Sequence, residues 1–135
     1  MPEAPGLRIG FAGTPAFARV ALQALIDAGV RTFVDLTTPQ DRLEPYAPFV
    51  ESAAAARGLD VQHRPMPIPD LGVIDDAGYD EILAVFDEPR SAGAVYVHCW
   101  GGVGRTGTVV GCLLAREGAD LGWVVDRIAV LRAGT

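Results

Sequence analysis

Lysine is absent from this sequence, so arginine supplies all 11 of its basic residues. The 17 acidic residues outnumber them and give a formal net charge of −6. An acidic surface repels the phosphates of nucleic acids and the headgroups of anionic lipids. We therefore expect neither a nucleic acid nor a membrane as the main partner.

Other features are equally scarce. The chain has only two cysteines, which fits a reducing compartment rather than a disulfide-stabilised secreted domain. No apolar run approaches the ~18 residues of a membrane span, and the acidic N-terminus lacks the basic region of a signal peptide. We expect a cytoplasmic protein, and its richness in Ala, Gly, Val and Arg suggests a bacterial genome of high GC content.

Hydrophobic periodicity predicts an α/β fold. At 135 residues the chain is long enough for one domain, residues 1–135, which we expect to be monomeric. Alternating strands and helices predict a mostly parallel central sheet with helices on both faces. The predicted strands are 7–11, 32–36, 61–64 and 94–99, and the predicted helices are 15–28, 45–57, 77–87, 105–117 and 121–131. The proline-rich segment 65–76 is predicted to be a loop.

The most informative segment is residues 98–107, which read His-Cys-Trp-Gly-Gly-Val-Gly-Arg-Thr-Gly. The segment lies between a predicted strand and a predicted helix, and it contains no acidic residue. Its glycines let backbone N–H groups converge on one point, and the helix N-terminus behind them favours an anion. We predict a phosphate-binding loop formed by Trp100, Gly101, Gly102, Val103, Gly104 and Arg105.

Four side chains of this segment have predicted roles. Cys99 is the expected nucleophile, and Arg105 is the expected bidentate clamp on the phosphate. Thr106 can donate its hydroxyl to the sulfur and so stabilise it as a leaving group. His98 is expected to fix the loop through its ring N–H groups. A glycine-rich turn with a buried cysteine is the alternative, and it leaves the arginine unexplained.

The pattern Cys-x5-Arg-Thr preceded by histidine resembles the signature of the cysteine-dependent protein tyrosine phosphatase superfamily. Its Gly-x-Gly-Arg-Thr-Gly ending is most similar to the dual-specificity branch, and the resemblance covers roughly residues 30–132. It implies a cofactor-free, metal-free phosphomonoesterase that acts on phosphotyrosine or phosphoserine/threonine in proteins through a phosphocysteine intermediate. Small phosphate esters, such as an inositol phosphate or a nucleotide, are an alternative substrate class. A non-catalytic phosphoprotein-binding module is a second alternative.

A phosphatase of this kind needs a proton donor from another segment. Asp70 is the best candidate because it lies 29 residues before Cys99 (99 − 70), at a position where the resemblance implies a mobile acid loop. Its surroundings resemble the Pro-Ile-x-Asp loop of cyclin-dependent-kinase-associated phosphatases. Asp75 and Asp76 compete for the role, although both lie where the helix predicted from residue 77 needs an N-cap.

Three further residues are ambiguous from sequence. Cys112 is predicted to be a buried structural thiol, and a redox partnership with Cys99 is the alternative. His63 has no second ligand at metal spacing, so no metal role is expected. Asp35 lies at the end of a predicted strand. Its side chain is expected either to accept hydrogen bonds that fix a loop or to cap a helix.

Residues 7–18 resemble the opening of the methionyl-tRNA formyltransferases. The catalytic Asn-x-His stretch of that family does not occur here. We therefore predict that the likeness is confined to a strand–turn–helix opening. The dual-specificity resemblance raises one further point, because many members of that branch continue into another helix beyond the position of Thr135; the fold is either minimal or shortened.

Overall fold

A computed structural model describes residues 19–41, 45–88, 93–99 and 104–132. The predicted strand 7–11 and the start of the predicted helix 15–28 lie outside these residues. The described elements, in chain order, are α1 (Arg19–Asp27), β1 (Val30–Asp35), a 3₁₀ turn (Pro39–Asp41), α2 (Ala47–Arg57), β2 (Gln62–Pro65), α3 (Asp76–Phe86), β3 (Ala94–His98), α4 (Gly104–Arg116) and α5 (Leu121–Arg132).

The three described strands form a parallel sheet in the order β2-β1-β3. The central strand β1 ends at Asp35, which is in register with Pro65 on one side and His98 on the other. Backbone hydrogen bonds continue past the strand ends, from Leu36 N to the carbonyl of His98 and from Ile68 N to the carbonyl of Leu36. The predicted parallel α/β architecture is confirmed, and the carboxyl ends of all three strands meet at one edge.

Helices cover both faces of the sheet because side chains alternate along β1. Phe33 lies in one apolar cluster with residues of α1 and α2, including Leu22 and Val50. Val34 faces the opposite cluster, with residues of α3 and α4 that include Ile82 and Val109. The helix α5 packs against α4 in a third cluster, formed by Val110, Leu114 and Val124.

Local sequence explains where α2 ends and where α3 begins. Gly58 ends α2 in the left-handed conformation at φ 63°, and its N–H bonds to the carbonyls of Ala54 and Ala55. Asp75 begins α3 as its N-cap, because its side chain accepts a hydrogen bond from the N–H of Gly78. Within the described residues, no helix is both long enough and apolar enough to cross a membrane.

Candidate active site

The candidate site lies where β3 passes into α4. Cys99 directly follows β3, while Arg105 and Thr106 lie in the first turn of α4. All three are buried, with exposures of 1% for Cys99 and 3% for each of the others. The structure places Gly104 at the start of α4. The other predicted members of the phosphate-binding loop lie outside the described residues: Trp100, Gly101, Gly102 and Val103.

The hydroxyl of Thr106 contacts the sulfur of Cys99. Its Oγ1 lies 3.0 Å from Sγ and donates a hydrogen bond to it. The structure therefore brings together the pair that the sequence predicts to act together, while the chemical role of the hydroxyl stays a prediction.

The buried guanidinium of Arg105 is held by Asp41, a residue that the sequence analysis did not single out. Nη1 and Nη2 each lie 2.9 Å from one of the two carboxylate oxygens of Asp41. Nη1 also donates to the carbonyl of Ile68 at 3.1 Å. The hydrogen bond from Arg105 lowers the pKa of Asp41 from 3.8 to about 2, against the opposing effect of burial. The pair is therefore ionised at neutral pH.

Asp41 is itself fixed by the turn in which it lies. Its Oδ2 accepts hydrogen bonds from the backbone N–H of Thr38 at 2.7 Å and from the Thr38 hydroxyl at 3.2 Å. The turn follows β1, so it sits at the same sheet edge as Cys99. The signal in the sequence is a carboxylate shortly after a strand end, together with a buried arginine that needs a counter-charge.

The hydrogen bonds of Arg105 determine which of its donors are left for the predicted clamp role. A guanidinium has five N–H donors in one plane, and three of those in Arg105 bond to Asp41 and Ile68. The remaining two, one on Nε and one on Nη2, share the other edge of the plane and make no hydrogen bond within the described residues. That edge is the geometry that binds two oxygens of a phosphate.

Asp70 stands at the rim of the site. Its Oδ1 lies 3.6 Å from Nη2 of Arg105, and its side chain is 64% exposed. It begins a turn in which Leu71 has a φ of 60° and is fully exposed. The rival candidate Asp75 is engaged as the N-cap of α3, and Asp76 lies in the first helical turn. The structure thus brings Asp70, and neither rival, to the guanidinium.

A buried polar cluster includes Tyr46 and His98, which lies next to Cys99 in the chain. Nε2 of His98 is hydrogen-bonded to the hydroxyl of Tyr46, which precedes α2. Burial lowers the pKa of His98, although the charge of Asp35 acts in the opposite direction. Burial also raises the pKa of Tyr46, so its hydroxyl stays protonated at neutral pH. The hydroxyl of Tyr46 therefore links His98 to the segment before α2.

Cys112 lies in α4, away from the strand-to-helix junction that carries Cys99. Cys112 is a free cysteine that is partly exposed, so the prediction of a buried thiol is wrong. The core-facing stripe of α4 consists of residues 109, 110, 113 and 114, and Cys112 lies at its edge. Burial and the nearby charge of Asp76 raise the pKa of this thiol.

No group of three or more His, Cys, Asp or Glu side chains in the described part of the chain could hold a metal ion.

The parallel sheet, the cysteine at a strand end and the arginine in the following helix are the features of a cysteine-dependent phosphatase with the DSP-like fold. A family model described as "Swiss Army Knife protein, DSP-PTPase phosphatase domain" matches residues 10–129. The chain belongs to this family, as the sequence resemblance predicted.

Solved structures share the fold of this chain. Kinase-associated phosphatase, with its catalytic-site cysteine replaced by serine, superposes with a TM-score of 0.72 at 20% identity, covering 86% of this chain and 66% of that one. Tk-PTP in its active form gives 0.68 at 27% identity, covering 87% and 76%. The core catalytic domain of the PP-IP phosphatase SIW14 from S. cerevisiae gives 0.66 at 15% identity, covering 88% and 68%.

Curated proteins that match this chain include methionyl-tRNA formyltransferases, which are enzymes of a different kind. Methionyl-tRNA formyltransferase from Halorhodospira halophila is 40% identical over 111 residues, which cover 67% of this chain and 34% of that enzyme. The same enzyme from Methylibium petroleiphilum is 50% identical over 60 residues, covering 41% of this chain and 19% of the enzyme. The likeness is thus longer than the opening segment to which we expected it to be confined. This chain spans at most about a third of the length of these relatives.

Proposed function

We propose that this protein is a phosphomonoesterase that works through a phosphocysteine intermediate. In the first step, the thiolate of Cys99 attacks the phosphorus of a bound phosphate ester. A sulfur–phosphorus bond forms while the bond to the leaving oxygen breaks, and Asp70 gives its proton to that oxygen. The free edge of Arg105 holds two of the phosphoryl oxygens throughout.

In the second step, water attacks the phosphocysteine. Asp70, now ionised, takes a proton from the water, the sulfur–phosphorus bond breaks, and inorganic phosphate leaves. The hydroxyl of Thr106 stabilises the departing thiolate through the 3.0 Å contact with its sulfur. The reaction needs no redox partner and no co-substrate other than water.

One observation carries this proposal. Cys99 and the buried Arg105 lie at the same strand-to-helix junction, with Thr106 bonded to the sulfur and Asp41 bonded to one edge only of the guanidinium. A structural ion pair would need no nucleophile beside it, and a structural cysteine would need no hydroxyl donor. A phosphoryl-transfer site needs both.

Phosphoproteins are the substrate class that we favour. Asp70 and the fully exposed Leu71 stand in solvent at the rim, so a bulky substrate can reach the proton donor. The absence of lysine, together with the net charge of −6, weighs against substrates that carry many phosphates. The likeness to SIW14, a PP-IP phosphatase, supports small phosphate esters as the second candidate.

A rate comparison tests the proposal. We expect the purified protein to hydrolyse an aryl phosphate and phosphopeptides containing phosphotyrosine or phosphoserine, with lower kcat/KM on inositol phosphates and nucleotides. The variant Cys99→Ser should lose turnover but still bind vanadate, because it keeps Arg105. The control Arg57→Gln, which removes an exposed ion pair with Asp27, should keep the wild-type rate.

The outcomes separate the candidates. A preference for an inositol phosphate or a nucleotide would replace the favoured substrate class by the second one. Phosphopeptide binding without any turnover would make the protein a binding module. Substrate trapping from a lysate with Cys99→Ser, followed by identification of the retained phosphate ester, would then name the substrate.

A further inference from the structure

The chain has only two histidines, and both lie beside the carboxylate of Asp35. His63, on β2, has its Nε2 3.0 Å from Oδ2 of Asp35. His98, on β3, has its Nε2 3.8 Å from Oδ1. The carboxylate thus lies between the two flanking strands, at the sheet edge that carries the active site.

The same carboxylate also begins the turn that holds the arginine. Oδ1 of Asp35 accepts hydrogen bonds from the hydroxyl and from the backbone N–H of Thr37, the latter at 3.0 Å. The next residue, Thr38, bonds to Asp41, which holds Arg105. An unbroken series of hydrogen bonds and one peptide link therefore runs from Asp35 to the guanidinium.

We propose that Asp35 and His63 are positioning residues of the active site. Asp35 fixes the turn that carries Asp41 on one side and faces the histidine that precedes the nucleophile on the other. His63 holds the carboxylate of Asp35 in this orientation through a hydrogen bond to Oδ2. This inference rests on the proposed phosphatase function. It adds to that function a set of hydrogen bonds that hold Arg105 and Cys99 in a fixed position relative to each other.

The state of Asp35 fits this role. Burial opposes its ionisation, but the hydrogen bonds from His63 and Thr37 outweigh burial and hold the pKa of its carboxyl below the usual value. An ionised carboxylate accepts hydrogen bonds at both oxygens. His63 and Thr37, which donate to it, then anchor different segments of the site.

Substitutions at His63 provide the first test. The ring of His63 packs edge-on against Tyr46 with centroids 4.8 Å apart, so His63→Phe keeps the ring contact and removes the donor. His63→Gln places an N–H near the position of Nε2. Because small displacements of catalytic groups are costly, we expect His63→Phe to lower kcat/KM roughly tenfold or more. We expect His63→Gln to remain within about threefold of wild type.

A second variant tests whether the effect passes through Asp35. Thr37→Val removes the other side-chain donor to Asp35 at nearly constant volume. If both variants act by releasing the same carboxylate, the double variant should lose less activity than the product of the two single losses. Losses that multiply independently would overturn the proposal that Asp35 is the common link.

The readouts separate a positioning role from a purely structural one. Rates are normalised to the folded fraction measured by circular dichroism, and Arg57→Gln, at the opposite edge of the sheet, serves as the control for a lost ion pair. Rescue by His63→Gln together with loss in His63→Phe supports positioning. Equal kcat/KM for wild type and folded His63→Phe overturns it. If His63→Phe does not fold, His63→Asn, whose shorter amide falls away from the position of Nε2, takes its place.

Vanadate affinity distinguishes failure of the inference from failure of the proposed function. If wild type hydrolyses none of the phosphate esters, the proposed function fails, and vanadate binding by the same variants decides the inference. Weaker binding in His63→Phe and Thr37→Val, restored in His63→Gln, would support positioning of an anion site. Unchanged binding in all three would overturn it.

Discussion

Arg105 and Asp41 lie 64 positions apart in the sequence and form a two-point ion pair in which both nitrogen–oxygen distances are 2.9 Å. Both side chains are almost fully buried, with exposures of 2% and 5%. A buried arginine without a counter-charge would be strongly unfavourable. The carboxylate therefore supplies the counter-charge that allows this cation to lie in the core, and within the described residues the edge formed by Nε and Nη2 makes no hydrogen bond.

The ion pair makes the stability of the protein depend on pH. The pKa of Asp41 is lowered from 3.8 to about 2, so its contribution is present above the unfolded-state pKa and is lost as the pH falls toward 2. A shift of this size corresponds to about 2 kcal/mol. We expect Asp41→Asn to lower the free energy of unfolding by about this amount at pH 7, and by much less near pH 2, in urea titrations.

The matched control is Asp27→Asn, which breaks the exposed pair with Arg57. Exposed pairs contribute little because water screens them, so this variant should lose less stability than Asp41→Asn at pH 7. Equal losses in the two variants would contradict the importance that we assign to the buried pair.

The hydroxyl of Thr106 should act mainly in the second chemical step. Without its hydrogen bond, the sulfur is a poorer leaving group, so Thr106→Val should accumulate phosphoenzyme. Rapid-mixing experiments with an aryl phosphate should show a burst of phenolate followed by a slower steady rate. Thr108→Val is the control, because Thr108 lies in the same helix and its hydroxyl bonds to the carbonyl of Gly104. A burst in the control variant would remove the specific role of Thr106.

Substitutions should distinguish Asp70, the proposed proton donor, from Asp75, the N-cap of α3. Asp70→Asn should lower the rate by roughly 10²–10⁴-fold on esters with poor leaving groups and flatten the basic limb of the pH–rate profile. Asp75→Ala should keep that limb but lose about 1 kcal/mol of stability, because it removes the N-cap of α3. Asp76→Asn should change neither quantity strongly. If Asp75→Ala loses the basic limb and Asp70→Asn keeps it, the assignment of the acid is wrong.

Hydrolysis should not require a metal ion. A thiolate nucleophile, an arginine and a carboxylic acid supply the attack, the charge stabilisation and the proton transfer of the proposed mechanism. Activity should therefore survive excess EDTA and should not rise on addition of Mg²⁺ or Zn²⁺. Vanadate and thiol oxidants should inhibit it. Activity lost to a chelator and restored by a metal would contradict the mechanism.

The sequence predicted the parts of the site that are local. Cys99, Arg105 and Thr106 are close together in the chain, and the change from a strand to a helical period places them at a junction. The bounds of most elements also follow from periodicity, although β1 begins at Val30 rather than at residue 32. Capping chemistry allowed Asp75 to be weighed against Asp70 before any contact was known.

The parts that were missed depend on distant segments. Asp41 lies in a short turn with no periodicity, and only the packing of the turn against α4 brings it to Arg105. The contact of His63 with Asp35 depends on the registration of β2 against β1. The partial exposure of Cys112 depends on how α4 is rotated about its own axis. The pattern of apolar residues predicts which face of the helix is buried, but it does not decide whether a side chain at the edge of that face is covered.

The separation of Asp41 from Arg105 also has a consequence during synthesis. At about 5–20 residues per second, a ribosome needs roughly 3 to 13 seconds to add the 64 residues that separate them. For that time the nascent chain holds β1 and its turn with the acid unpaired, and the edge of β1 that β3 later covers is open to other strands. Arg105 and the strand that covers this edge both belong to the segment from β3 to α4, so a nascent chain that stalls before β3 lacks the partner of Asp41 and the cover of β1 together.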